Sequence, residues 1–296
     1  VEDYEEDGDA TVTFQFGHSV GEGIQLLLQG KSLQDTIFSM FINWKPDLFA
    51  EDPKRKKSFA LAVIAIQKFS AFRSAGFLRE YELVYFKERP AVELGFRIHL
   101  PDGFKYRGFV DAVLKHKATG EVLVLEIKTS SGQVIANSYK NSAQAIGYSL
   151  VLDHLFPKLS AYKVLYLVYR TKEMEYEPIM YPKSFLQRAL WIQELLLDIE
   201  VVKLYEKTGV YPMRGESCVQ FFRDCKYLGV CTLSTEKITS PLTQEFLDKI
   251  AKETYDTEIT IADLINSQLS HSEAQDELSN LSTDSTYIAT GDDQIL

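Results

Sequence analysis

Three things are scarce in this 296-residue sequence. No apolar run approaches the roughly 20 residues that cross a bilayer, so no membrane partner is expected. Cysteine is limited to Cys218, Cys225 and Cys231, all in one short stretch. An odd, clustered set does not make a secreted disulfide scaffold, and a reducing, cytoplasmic interior is the expectation. Bases are missing from both ends. Residues 1–10 and 266–296 hold 12 of the 42 acids and no Lys or Arg. The formal charge of −10 therefore belongs to the ends, and between them 30 acids face 32 bases. A body so balanced binds phosphate through local patches rather than long-range attraction. No leader pattern is visible, although the chain opens on Val1 rather than Met, which leaves trimming of the N-terminus open.

What is present is a core. Hydrophobic residues make up 45% of the chain, with 18 Phe and 16 Tyr, too many for a disordered protein. The expected organisation is an acidic tail over 1–12, a folded body over 13–260, and an acidic Ser/Thr-rich tail over 261–296. The tails are expected to be disordered, with too little apolar surface to offset their ordering entropy. Within the body, 13–78 reads as helical, 79–172 as a sheet-bearing core and 173–260 as helices followed by the cysteine segment.

Helical spacing runs over Gly17 to Gln29, again after Ser32, and over Lys56 to Ala75, ending at Gly76. Alternation then takes over, with strands expected over Ala91 to Leu100, Tyr106 to Lys115 and Glu121 to Thr129. Turns at Pro101-Asp102-Gly103 and Ala118-Thr119-Gly120 join them. A helix over Asn137 to Leu155, a strand over Ala161 to Arg170 and a long helix over Ser184 to Tyr205 follow. The order predicts an α/β domain with a mixed central sheet flanked by helices. Lys54 to Lys57 reads as a solvated helix start, and Glu173 to Glu177 as an exposed acidic loop.

The chemistry concentrates in Gly108 to Ser131. Asp111 lies inside an apolar strand, and Glu126 and Lys128 lie two apart in the next, hence on one face. The intervening turn can set Asp111 beside them. Two carboxylates and an ammonium are expensive to bury unless paired or metal-bound. Hard oxygen ligands suit Mg²⁺ or Mn²⁺, which polarises a phosphodiester oxygen and acidifies bound water. A neighbouring lysine can orient or deprotonate that water, or stabilise charge on phosphate. Glu93, on the preceding strand, is a further carboxylate for this site.

The run from Asp111 to Lys128 resembles the PD-(D/E)XK nuclease superfamily, and its RecB-like exonuclease branch in particular, which includes CRISPR adaptation and phage nucleases. Gly108-Phe109-Val110-Asp111, Glu126-Ile127-Lys128-Thr129 and Gln144-Ala145-Ile146-Gly147-Tyr148 match three motifs of that branch in order. The resemblance implies a restriction-endonuclease-like core with an N-terminal helical region and a C-terminal helical, cysteine-bearing segment. It implies metal ligation by Asp111, Glu126 and the Ile127 backbone carbonyl, catalysis assisted by Lys128, and substrate binding by Gln144 and Tyr148. It implies Mg²⁺- or Mn²⁺-dependent hydrolysis of DNA, at ends or single strands, by an exonuclease of a bacterial or phage-infected cell. A protein partner reached through the acidic tails is a further expectation.

Two departures accompany the match. Gly17-His18-Ser19-Val20-Gly21 stands where the branch has G-x-x-x-H, so Gly21 replaces a metal-binding histidine. His18, Glu22 or Gln25 could substitute from nearby turns. Pro212 to Cys231 resembles an iron–sulfur segment, but Phe222 stands at one ligand position and Cys218 lies four residues earlier. Three thiolates suit zinc or an iron–sulfur cluster only with a fourth ligand. Three reduced thiols are therefore the expectation.

Overall fold

Serine side chains start three of the helices. The computed structural model describes residues 8–156, 162–209, 218–220, 223–224, 228, 241, 245, 257–260 and 262–263. Its helices are α1 (Gly8–Leu28), α2 (Leu33–Asn43), α3 (Phe59–Ser74), α4 (Ala143–Leu155) and α5 (Phe185–Thr208). The hydroxyls of Ser32, Ser58 and Ser184 accept from Asp35, Leu61 and Gln187 N–H. Each satisfies one of the donors a helix start leaves open. Gln187 returns the bond to Ser184 N–H, completing a capping box. Gly209, at φ 66°, ends α5 in the left-handed conformation that glycine adopts without strain.

The strands are β1 (Glu51–Asp52), β2 (Lys57–Ser58), β3 (Tyr81–Leu83), β4 (Tyr85–Phe86), β5 (Arg89–Pro90), β6 (Val92–His99), β7 (Lys105–His116), β8 (Val122–Ser130), β9 (Tyr162–Arg170), β10 (Glu175–Lys183), β11 (Val219–Gln220), β12 (Arg223–Asp224) and β13 (Thr257–Thr260). A mixed seven-stranded sheet runs β10-β9-β8-β7-β6-β13, with β3 also on β7. The β8–β9 and β6–β13 pairs are parallel and the others antiparallel. Helix α4 makes the crossover between β8 and β9.

Helices cover both faces of this sheet. Val122, Val124, Tyr148, Val151 and Trp191 pack on the α4–α5 side. Phe16, Val20, Ile24, Phe69, Leu123 and Leu125 pack on the α1–α3 side. Strand β8 is buried on both faces and reads accordingly as a continuous apolar run. Among the described residues no helix is long and apolar enough to cross a membrane.

The structure corrects four expectations. Helix α1 begins at Gly8, inside the stretch read as an acidic tail. Val12 extends the buried stripe of Phe16, Val20, Ile24 and Leu27, and the adjoining acids mask that periodicity. Lys57 and Ser58 form a strand, so α3 starts at Phe59. The helix expected from Asn137 is a short 3₁₀ turn, Ala136–Tyr139, followed separately by α4. Glu175 to Glu177 belong to β10, not to a loop. Strand β10 carries Pro178 and Pro182 and, among the described residues, pairs only with β9. At a sheet edge the missing proline N–H breaks no ladder, although the same prolines argue against a strand in the sequence. Residues 1–7, most of the cysteine segment and the acidic C-terminal stretch lie outside the described residues.

Candidate active site

Strand β7 changes partner midway, and the candidate site sits at the change. It pairs with β6 from Lys105 to Ala112 but with β8 only from Ala112 to Lys115. Beyond Leu125, β8 leaves β7 and runs on beside β9 alone. An N–H at such a fork loses its ladder partner and needs another. Asp111 supplies it: its Oδ2 accepts from Ile127 N–H at 2.7 Å. The carboxylate thus closes the end of one ladder, and its position is fixed to β8 by a backbone bond.

Glu126 and Lys128 share the α4 face of β8. Lys128 Nζ lies 2.6 Å from Glu126 Oε1. The Glu126 side chain is only 1% exposed, and its Oε2 is buried without a hydrogen-bond partner. From α4, Gln144 Oε1 accepts from Lys128 Nζ at 3.4 Å, and Gln144 Nε2 donates to Tyr148 Oη at 2.6 Å. Gln144 is exposed, whereas Tyr148 is buried against the sheet. The structure therefore brings Asp111, Glu126, Lys128, Gln144 and Tyr148 into one connected set.

Glu93 falls in register opposite Asp111 across β6 and β7. Its φ of 46° is a strained value for a residue with a side chain. Gln25 Nε2 on α1 donates to Glu93 Oε1 at 2.6 Å and to the Asp111 carbonyl at 3.2 Å. Of the three residues that could stand in for the histidine, Gln25 is the one that reaches these strands. Glu22 instead accepts from Ser39 and Asn43 of α2. His18 is exposed on the groove wall. A Cβ built on Gly21 meets nothing within 4 Å, so a larger side chain there would enter open space.

The site disfavours the charged form of its carboxyls. Burial first, then the charge of Glu126, pushes the Asp111 carboxyl up to about 8, against the lowering effect of the Ile127 N–H. Burial also raises Glu126, with Lys128 opposing. Burial lowers Lys128, but the charge and hydrogen bond of Glu126 and the charge of Asp111 outweigh it, so its pKa is raised. Lys128 is an ammonium at neutral pH. It can orient a water or stabilise negative charge, and the base role the sequence left open for it is disfavoured. Burial, followed by the charge of Glu126, raises the Tyr148 phenol as well.

Part of this set opens onto a groove of about 850 Å³ between α1 and the fork. Asp111, Glu93 and Lys128 line one part of it, and Thr13, Arg55 and Lys57 another. The second group escaped sequence reading because Lys54 to Lys57 looked like an exposed charge run. Arg170 does not join the site, being paired with Glu173 and Glu177. Of the cysteines, Cys218 is described, at intermediate exposure, and Cys225 and Cys231 lie outside the described residues.

Among the described residues no three His, Cys, Asp or Glu side chains are gathered into a ready-made metal cage. A buried Glu126 with one unbonded oxygen, beside a half-buried Asp111 whose carboxyl it pushes up, nevertheless fits a hard divalent cation that keeps several waters. No protein-family model matches the chain, and neither does any curated protein. Among solved structures the chain is similar to the crystal structure of SSO0001, at 14% identity over 56% of this chain and 83% of that one, with a TM-score of 0.24. A likeness at that score carries no argument about fold or function.

Proposed function

We propose that the chain is a metal-dependent deoxyribonuclease with a restriction-endonuclease-like, PD-(D/E)XK core. The observation that carries this is the fork between β7 and β8, where Asp111, Glu126 and Lys128 meet with one Glu126 oxygen unbonded. Asp111 and Glu126, with the Ile127 carbonyl, would hold Mg²⁺ or Mn²⁺. That ion, when bound, polarises a phosphodiester oxygen and acidifies a water.

The chain's own groups do the remainder. The Lys128 ammonium lies beside the carboxylates, where it stabilises charge gathering on phosphate. Gln144 holds Lys128 at its amide oxygen and Tyr148 at its amide nitrogen, so a strand leaning on α4 meets donors already oriented. The groove beside α1 has room for the strand, and its exposed His18 adds a further polar contact. Exonuclease action in bacterial or phage DNA replication, recombination or repair is the setting favoured by resemblance to the RecB-like branch.

The test uses end-labelled linear and closed circular DNA with Mg²⁺, Mn²⁺ or EDTA. The expected result is metal-dependent loss of the linear form, abolished by Glu126→Ala and Lys128→Ala. Cleavage of the circle as well would make the enzyme an endonuclease. A second reading, a catalytically reduced protein that binds nucleic acid or a protein partner, is favoured by the open space at Gly21. Absence of cleavage under every condition, with DNA binding retained, would establish it.

A further inference from the structure

The last residue of β10, Lys183, is 2% exposed. Its Nζ donates to the Lys140 carbonyl at 2.7 Å and to the Tyr139 carbonyl at 3.3 Å. It also lies 5.9 Å from the centre of the Tyr166 ring. Burial lowers its pKa to about 8. An ammonium buried against neutral groups costs a fold more than an apolar side chain of similar length. What this ammonium does is grip a turn.

That turn leads into α4. Besides Lys183, Gln187 of α5 holds it, with Nε2 donating to Asn141 Oδ1 at 2.9 Å and to the Lys140 carbonyl at 3.5 Å. Tyr181 of β10 adds a third strut, its hydroxyl 3.5 Å from Asn137 Oδ1. Helix α4 depends on such support, because its N-cap, Ser142, makes no side-chain capping bond. The Tyr139 carbonyl that Lys183 holds also accepts from Ser142 N–H at 3.4 Å, so the clamp reaches the helix start through one shared oxygen. Two residues further on is Gln144, which accepts from Lys128 Nζ.

The same turn carries a residue that the motifs do not include. The Tyr139 ring lies on the Tyr166 ring, with centres 4.5 Å apart. Tyr166 stands opposite Glu126 in the β8–β9 register. Burial raises the Tyr139 phenol, and the charge of Lys128 opposes it. Tyr139 is half-buried and Gln144 exposed, so both can meet a ligand arriving beside Lys128.

We infer that Lys183 is a positioning residue, which locks the 136–142 turn to the end of β10 so that Tyr139 and Gln144 meet a nucleic-acid strand beside Lys128 in one fixed arrangement. The inference rests on the proposed function for the identity of the strand. Lys183 itself touches no strand. Groups already held in place bind without first being ordered, a cost otherwise taken from affinity and rate.

The test compares the wild type with Lys183→Met, Lys183→Arg and Asn141→Ala. Hydrogen exchange reads the turn directly, and the 136–142 segment of Lys183→Met should exchange on the order of tenfold faster while β8 and β9 stay protected. In EDTA, its affinity for a thymidine pentanucleotide should fall on the order of tenfold. In Mg²⁺, kcat on linear DNA should fall by a similar factor, with the Mg²⁺ concentration for half-maximal rate unchanged, since Asp111 and Glu126 are not moved. Lys183→Arg, which keeps a buried charge and donors for both carbonyls, should restore affinity and kcat. Unchanged exchange in Lys183→Met overturns the clamp. Faster exchange or a lower unfolding temperature with wild-type affinity and kcat also overturns the inference, because the lysine would then serve the fold alone. So does a shifted Mg²⁺ requirement, which would mark a general disturbance of the site. Should Lys183→Met not fold, Asn141→Ala carries the test. It removes an exposed strut and leaves the α5 capping box intact, and should lose about threefold in affinity; wild-type affinity there overturns the inference. Lys183-dependent affinity in a protein that cleaves no DNA sinks the nuclease reading alone. Cleavage and affinity that are both indifferent to Lys183 sink the positioning role alone.

Discussion

Replacing Glu126 by Gln keeps an acceptor for Lys128 and removes a charge that burial disfavours. If the carboxylate serves the fold, the variant should lose stability. If it serves chemistry, Glu126→Gln should gain about 1 kcal/mol in EDTA while losing roughly 10²–10³ or more in cleavage rate. Denaturant melts beside a turnover assay distinguish the two. Asp111 gives the matching pH signature. Its folded pKa of about 8 lies above its usual value of 3.8, so the folded state binds the proton more tightly. The stability this group contributes is full below about pH 4 and is lost as pH rises through about 8. Relative to the wild type, Asp111→Asn should gain stability steadily over that window and level off above it. Melts in EDTA at several pH values check this, and a difference that is flat with pH would mean that Asp111 is not held protonated.

At the scale of elements, two helices grip β8 from opposite faces and set the site between them. The α4–α5 contact is close at Gly147, where an added Cβ would lie 2.9 Å from Trp191 Cζ2 and 3.3 Å from Tyr106 Oη. Gly147→Ala should therefore destabilise by about 1–3 kcal/mol, because the indole has to move. Since α4 carries Gln144 and Tyr148, cleavage should fall as well, and a chemical melt with a parallel rate measurement checks both. Helix α1 offers the reverse case. Gly21 faces open space at the groove, so Gly21→His should fold with a change in stability near zero. Should the open position limit metal affinity, it should also lower the Mg²⁺ concentration for half-maximal cleavage. An unchanged metal requirement would show that Gln25 and Glu93 already complete this side of the site. Both helices were legible from periodicity and both proved longer or shorter than expected. Acids hide the start of α1, and a 3₁₀ turn detaches Ala136–Tyr139 from α4.

For the whole molecule, charge is divided between body and ends. The 31 residues from 266 to 296 carry six acids and no Lys or Arg, in a chain of net charge −10. Removing them should tighten binding of a labelled oligonucleotide at low ionic strength and change it little at high salt, because exposed charges are screened beyond roughly 10 Å at 0.1 M. Equal affinity at low salt would mean that the acidic end does not oppose the nucleic acid. The sheet order could not be read from the chain. Strand β13, at 257–260, pairs with β6 far earlier in sequence, and the edge strand β10 hides behind its prolines.

The sequence by itself determined the α/β alternation, the apolar β8 with Glu126 and Lys128 on one face, and the three motifs in order. Period-two and near-period-four spacing are local properties and need no knowledge of neighbours. Tertiary structure alone decided that β7 and β8 part at Asp111, because a fork is defined by which strand stops pairing. It also decided that Lys57 is buried within a run of charges that reads as solvated, since its ammonium packs over Phe16, which arrives from a helix far earlier in the chain.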